Sequence, residues 1–583
     1  MKKITLFLFF ITIVINSFSQ KTPVPNNFSP KELLSLPEYR PPQTRSTTTP
    51  PNFPVRTAAE WEEMSSVLIS FQYYENFLTE IVRYAREEAH VYIFCDDSNS
   101  VKNTLTNSGV DLSNISYLQH SMNSVWIRDY GPNNIYKNDV EDLSLVDWVY
   151  NRNRPDDDTS PDYFAQQTNI PIYGTVNPPT DLVNTGGNFM SDGFGTAFAS
   201  ELVLDENATT SSFNQTPKTE ADIDTIMKNF MGINRYILMP TLPFDGIHHI
   251  DMHIKLLDEQ TLLVGEYPTG VADGPQIEQN IQYIQNNFNS VFGKPYKIIR
   301  IPMPPDASGN YPDNWGDYCT YTNSLIINKT VLVPIYNNTQ YDTTALRIYH
   351  QAMPGYRIVG IDASTPIAAS GAIHCTTHEI GAQNPLLISH CALPDTNDVI
   401  NDYRVDALIK HREGISSAYI YYRTDTTQAY APVSMTLTDT VNNTWTGYIP
   451  TQTSGTDVFY YIHAQASTGK QQNRPITAPN GYWHFKVLNN IFANLSKIDN
   501  TRFILHNPAK NNMSFTLDLS CNKTGSLSIF DITGKKVYNT AYKHYNKGYK
   551  CYSYDISNLK AGIYLVKLNL NGIINTQKLV IVK

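Results

Sequence analysis

At 583 residues, with 41% hydrophobic and 17% charged side chains, the chain is globular and too long for one ordinary core, so roughly three to five folding units are expected. Its 54 acidic residues against 44 Lys and Arg give a net charge of -10 and a pI near 5.8, which argues against a nucleic-acid partner and tolerates a cationic substrate. Six scattered cysteines in so long a chain do not make a disulfide scaffold.

Lys2-Lys3, an apolar run over residues 4–15 and the triplet Ser17-Phe18-Ser19 form the pattern of a secretory signal peptide, residues 1–19, cut before Gln20. The run is shorter than the ~20 residues a spanning helix needs. Residues 20–54 are rich in Pro, Thr and Asn without an apolar period, and predict an extended leader or linker. Phe77, Ile81, Val82, Tyr84 and Ala85 predict a helix over 77–89, followed by a buried strand over 91–94. The alternation continues with helices over 223–231 and 277–288 and strands over 261–264, 296–301 and 324–334. Residues 55–400 therefore read as an α/β domain. Beyond residue 401, short strands over 418–422, 433–437, 444–448 and 458–462, with turn residues between, predict an immunoglobulin-like β-sandwich over 401–490. Residues 495–583 carry further short strands and predict a small β-sandwich, in which Cys521 and Cys551 could pair.

Three segments carry chemistry. Cys375 stands alone on a Gly-containing turn, Ser370-Gly371-Ala372-Ile373-His374-Cys375, where a thiolate would be presented. The second segment is Trp126-Ile127-Arg128-Asp129, and the third is His248-His249-Ile250-Asp251. A guanidinium carbon is a poor electrophile, so attack on it needs carboxylates to fix the cation, a strong nucleophile and a proton donor for the departing amine. Asp129 and Asp251 suit the first task, Cys375 the second, and His249 the third, two residues before Asp251 on an expected strand end. His248, His253, His374 and His378 lack metal-ligand spacing, so no metal and no cofactor are expected. Asp156-Asp157-Asp158 reads as a solvated loop, and Glu379 as a helix cap.

These segments, with Gly186-Gly187-Asn188 and Tyr321-Thr322-Asn323, occur in the order of the guanidino-group-modifying superfamily, and the chain resembles its agmatine deiminase and bacterial peptidylarginine deiminase branch. The resemblance implies a five-bladed pseudo-symmetric α/β propeller with the site on its axis. It also implies Cys375 as nucleophile, His249 as acid and base, Asp129 and Asp251 as guanidinium ligands, Asn323 as a further active-site residue, and Trp126 against the substrate's alkyl chain. Arg152 and Arg154, two apart on an expected extended segment, could clasp an α-carboxylate, and the segment is similar to that of secreted family members reading C-terminal arginine. One departure is Gly246, where those members imply a tyrosine. The motifs Phe530-Asp531-x-x-Gly534-Lys535 and Leu559-x-x-Gly562-x-Tyr564 resemble the C-terminal sorting domain of the type IX secretion pathway. An exported enzyme converting arginine of peptides or proteins, C-terminal arginine above all, to citrulline with release of ammonia through a covalent Cys375 thiouronium intermediate is expected, secreted or attached at the outer-membrane surface, with the secretion machinery as partner. Deimination of small guanidines such as agmatine is the alternative.

Overall fold

The computed structural model describes residues 23–40, 46–488, 502–519 and 521–583; the expected signal peptide lies outside the described residues. The chain divides into two compact units, Met1–Leu488 and Asn489–Lys583.

The first unit begins with five separate sheets, and each repeats one plan. A short strand pairs antiparallel with a central strand, which pairs parallel with a third after a helical crossover. Asn133–Lys137, Leu143–Tyr150 and Ile172–Thr175 follow it, as do Ile254–Asp258, Thr261–Glu266 and Lys297–Pro302. So do Met190–Ser191, Thr196–Ser200 and Arg235–Met239, and Leu325–Ile327, Thr330–Ile335 and Arg357–Asp362. In the fifth sheet the short strand is the last in sequence: His378–Gly381 pairs with Met64–Ser70, which pairs parallel with His90–Cys95. The end of this region is thereby stitched to its beginning. Crossover helices bury the stripe that their spacing dictates; in Glu75–Glu88, Phe77, Leu78, Ile81, Val82 and Ala85 face the core.

Several limits differ from the sequence reading for local reasons. The run over 324–334 is a hairpin, broken at Asn328, whose φ of 48° is left-handed. The run over 433–437 is split, Ala431–Ser434 pairing in one sheet and Thr436–Asp439 in another, with buried Met435 at the switch. The supposed leader is not extended throughout. Pro30–Ser35 is a helix with a capping box between Ser29 and Glu32, and Leu36 and Tyr39 are buried. Asp156–158 is no solvated loop either. Asp157 accepts from the Ser124 hydroxyl at 2.7 Å and Asp158 from the Tyr39 hydroxyl at 2.7 Å, both carboxyls being buried.

After the five sheets, two antiparallel sheets share a separate apolar cluster of Val405, Ile420, Val458, Tyr460 and Phe485. Strand Asp457–Ala466 alternates buried and half-buried residues along its whole length, as a one-side-buried strand must. The ion pair of Arg474 with Glu259, 2.7 Å, joins this part to the five-sheet part. The second unit has two antiparallel sheets around Phe515, Leu517, Leu527 and Val566. Cys521 and Cys551 are exposed free thiols, so the pairing considered from sequence is not formed.

Candidate active site

The short antiparallel strand of each of these five sheets is preceded by a turn that carries one of the sequence motifs. Asp129 lies before Asn133–Lys137, Gly187 before Met190–Ser191, Asp251 before Ile254–Asp258, Asn323 before Leu325–Ile327 and Cys375 before His378–Gly381. One repeated position in the architecture thus supplies Asp129, Gly187, Asp251, Asn323 and Cys375. Asp129 sits in the single helical turn Ile127–Tyr130, and Asp251 in the 3-10 turn Ile250–Met252 that follows His249. That turn replaces the strand end expected there, so the two side chains are placed by the turn and not by strand alternation.

Around the Cys375 thiol the contacts are close. Asn323 Nδ2 donates to Cys375 Sγ at 3.2 Å and to Asp251 Oδ2 at 3.0 Å, and its Oδ1 accepts from the Cys375 backbone N–H at 3.3 Å. Sγ lies 3.8 Å from Asp251 Oδ2. His249 Nδ1 stands 3.5 Å from Asp129 Oδ1. Gly187 permits that approach: a Cβ there would fall 2.4 Å from His249 Nδ1 and 2.8 Å from Asp129 Oδ1. Gly371 does the same on the other side, where a Cβ would meet the Trp126 ring at 2.4 Å and Cys375 Cβ at 3.0 Å.

Among the described residues, Oδ1 of Asp251 and both ring nitrogens of His249 are buried without a hydrogen-bond partner, and the two oxygens of Asp129 have none of good geometry, with Thr185 and the Gly187 N–H near enough to pull its pKa down. Burial pushes the Asp129 carboxyl up to about 6, against the pull of the Arg152 guanidinium. Burial, then the neighbouring Asp129, raises Asp251 well above the usual carboxylate range. Burial and the two carboxylates Asp251 and Asp129 raise the Cys375 thiol, and burial with Arg152 lowers His249. Burial therefore favours a neutral thiol and a neutral imidazole.

A second layer was not legible as such in the sequence. His374 Nδ1 lies 2.7 Å from Asp251 Oδ2 and its Nε2 lies 3.2 Å from Glu60 Oε2, which also receives the Lys255 ammonium at 2.5 Å. Arg128 grips Glu379 with two bonds, 3.2 and 2.6 Å, and donates Nε to the His374 carbonyl. Glu379 is thus an ion-pair partner and not a helix cap. His374 could have been suspected from its place beside Cys375; Glu60 and Lys255 carry no local signal. Among the described residues no group of three or more His, Cys, Asp or Glu is placed to hold a metal ion.

Trp126 is wholly buried, its ring beside Gly371 and its Nε1 donating to the Val24 carbonyl at 2.9 Å. Arg152 and Arg154 are also buried, and their segment bends instead of running extended. Arg152 donates Nε to the Asn26 carbonyl, and Arg154 pairs with Glu32 at 2.7 Å. Both contribute positive potential near Asp129.

A family model described as "Porphyromonas-type peptidyl-arginine deiminase" matches residues 51–381, and one described as "Secretion system C-terminal sorting domain" matches 505–583. The latter marks proteins exported by the type IX pathway to the cell surface or extracellular space. A Vibrio parahaemolyticus protein named "Putative agmatine deiminase" is 26% identical over 298 residues, 46% of this chain and 79% of that protein. One of the same name from Legionella pneumophila is 25% identical over 290 residues, 46% of this chain and 75% of its own. Among solved structures, a C. jejuni agmatine deiminase is similar, with 20% identity and a TM-score of 0.46 over 56% of this chain and 96% of that one. The chain belongs to the Porphyromonas-type peptidyl-arginine deiminase family.

Proposed function

We propose that the protein hydrolyses the guanidino group of arginine at the C-terminus of peptides or proteins, giving citrulline and ammonia through a thiouronium ester on Cys375. The observation that carries this reading is the set of buried, unpartnered acceptors on Asp129 and Asp251 beside a thiol and an imidazole. Buried carboxylates without partners are costly, and a planar cation with N–H groups in its own plane is the ligand that satisfies two of them together.

The chemistry follows from the electrostatics. A guanidinium between Asp129 and Asp251 offsets the two charges that, after burial, hold the thiol protonated. The Cys375 proton then passes to His249, whose imidazolium is stabilised by Asp129 at 3.5 Å. Sγ attacks the guanidinium carbon and a C–S bond forms. One C–N bond breaks, and His249 returns the proton to the leaving ammonia. Water, deprotonated by His249, attacks the same carbon; the C–S bond breaks and the ureido product leaves. Asn323 holds Sγ and Asp251 in register. We read the five sheets as blades of a pseudo-symmetric propeller around this site, residues 401–490 as an immunoglobulin-like domain, and Arg152 with Arg154 as receivers of the substrate's α-carboxylate.

The names of the curated relatives favour agmatine as a second reading. Mass spectrometry of a peptide ending in arginine, of the same peptide amidated, and of agmatine, each with the parent protein and with Cys375→Ala, tests both. An imine-to-carbonyl mass change on the free-ended peptide with the parent protein alone supports the proposal. Conversion of agmatine only would replace the substrate, and conversion by Cys375→Ala would remove the nucleophile.

A further inference from the structure

Residues 24–32 run against Trp126, Arg152 and Arg154 and against the chain leading to Cys375. The Asn26 N–H donates to the Ala369 carbonyl at 2.8 Å, while the Asn26 carbonyl accepts from Arg152 Nε at 2.9 Å. One residue thereby bridges the chain leading into the Cys375 turn and the opposite arginine. Four consecutive carbonyls are engaged: Val24 by Trp126, Pro25 by Arg154 at 2.7 Å, Asn26 by Arg152, and Asn27 by Arg154 at 3.3 Å. The Phe28 ring lies 4.1 Å over the Arg152 guanidinium. The Glu32 carboxylate takes Arg154 Nε at 2.7 Å with one oxygen and caps its own helix with the other.

These contacts use backbone carbonyls and one carboxylate, features that any extended peptide with an acidic or free-carboxylate group offers. They take Nε of Arg152 and both Nε and Nη2 of Arg154. Cys375 and Trp126 are 0% exposed, so the thiol cannot be reached from solvent in this arrangement. Gly246 fits the same picture, since a Cβ there would lie 3.2 Å from Asn27 Nδ2. The absent side chain leaves room for this segment.

We infer that Trp126, Arg152 and Arg154 form a docking surface for an extended polypeptide bearing a carboxylate, and that residues 23–40 occupy it as an intramolecular inhibitor which must leave before substrate enters. The inference rests on the reading of the same arginines as substrate ligands. Release has no chemistry of its own; it exchanges one set of carbonyl and carboxylate contacts for another.

The test uses the full chain and two independent ways of loosening the strap: the double variant Phe28→Ala/Glu32→Gln on the strap itself, and Gly246→Tyr on the surface beneath Asn27. Two readouts are taken: the rate at which iodoacetamide alkylates Cys375, followed by mass spectrometry, and kcat/KM on a peptide ending in arginine. Both variants are expected to raise both by about tenfold or more. A synthetic peptide of residues 23–40 added to the double variant is expected to raise KM at constant kcat. Faster alkylation without turnover of any guanidine would leave the strap in place as an inhibitor and sink the deiminase reading. Alkylation no faster than in the parent, in both variants folded by circular dichroism, overturns the inference and makes the segment a fixed part of the body.

Discussion

His374 Nδ1 lies 2.7 Å from Asp251 Oδ2, so the residue beside the nucleophile in sequence anchors one oxygen of the carboxylate while the other stays without a partner. Asn323 and His374 converge on Oδ2, so two neighbouring side chains fix the orientation of the Asp251 carboxylate.

Asp129→Asn and Asp251→Asn each leave a bound guanidinium one countercharge short in a buried pocket. Breaking one side of a buried charge pair costs about 3–5 kcal/mol, which corresponds to a loss in kcat/KM on the order of a hundred- to a thousandfold or more. Steady-state kinetics on a C-terminal arginine peptide measures it. Near-normal kcat/KM in either variant would remove that carboxylate from the scheme.

Gly187→Ala is predicted to abolish most activity while lowering stability by about 1–3 kcal/mol. The new methyl would displace His249 and Asp129, whose atoms lie 2.4 and 2.8 Å from its ideal position. Misplacing a reacting group by about 1 Å costs on the order of a hundredfold. Gly187→Ala with parent kcat would show that His249 need not stand where it does.

The pH dependence follows Asp129. Its carboxyl is raised to about 6 by burial, so it is charged above that value and protonated below it. The free protein loses a guanidinium ligand as pH falls, and kcat/KM is expected to drop through about pH 6 with decreasing pH. Under linkage, the same raised value makes this group's contribution to folding largest below the unfolded carboxylate range and lost as pH rises through 6, opposite to its effect on activity. A flat kcat/KM between pH 5 and 7 would contradict the assignment.

Arg152→Ala and Arg154→Ala are expected to erase any preference for a free C-terminal arginine over the amidated peptide by slowing only the former. The loss of a charge-assisted contact is worth about 1.5–3 kcal/mol, or about ten- to a hundredfold. Equal slowing of both peptides would show that the arginines do something other than receive a carboxylate.

The amino-acid sequence by itself determined what short-range patterns encode. The stripe from Phe77 to Ala85 specified a helix and the alternation around Val458 and Tyr460 a strand, because each depends on neighbours a few positions away, and the motifs around Asp129, His249, Asp251 and Cys375 marked candidates for the site. Only the tertiary structure decided what covers the site. Glu32 and Arg154 are 122 positions apart, and Glu60 and His374 are separated by 314. A proline-rich stretch without apolar period and an Asp-Asp-Asp run look solvent-exposed when read locally. Asp157 and Asp158 are buried because Ser124, Tyr150 and Tyr39 supply donors from distant segments, and residues 24–32 are held because two buried arginines need acceptors. Hydrogen-bond satisfaction in a closed interior is a property of the folded whole, and no window of sequence carries it.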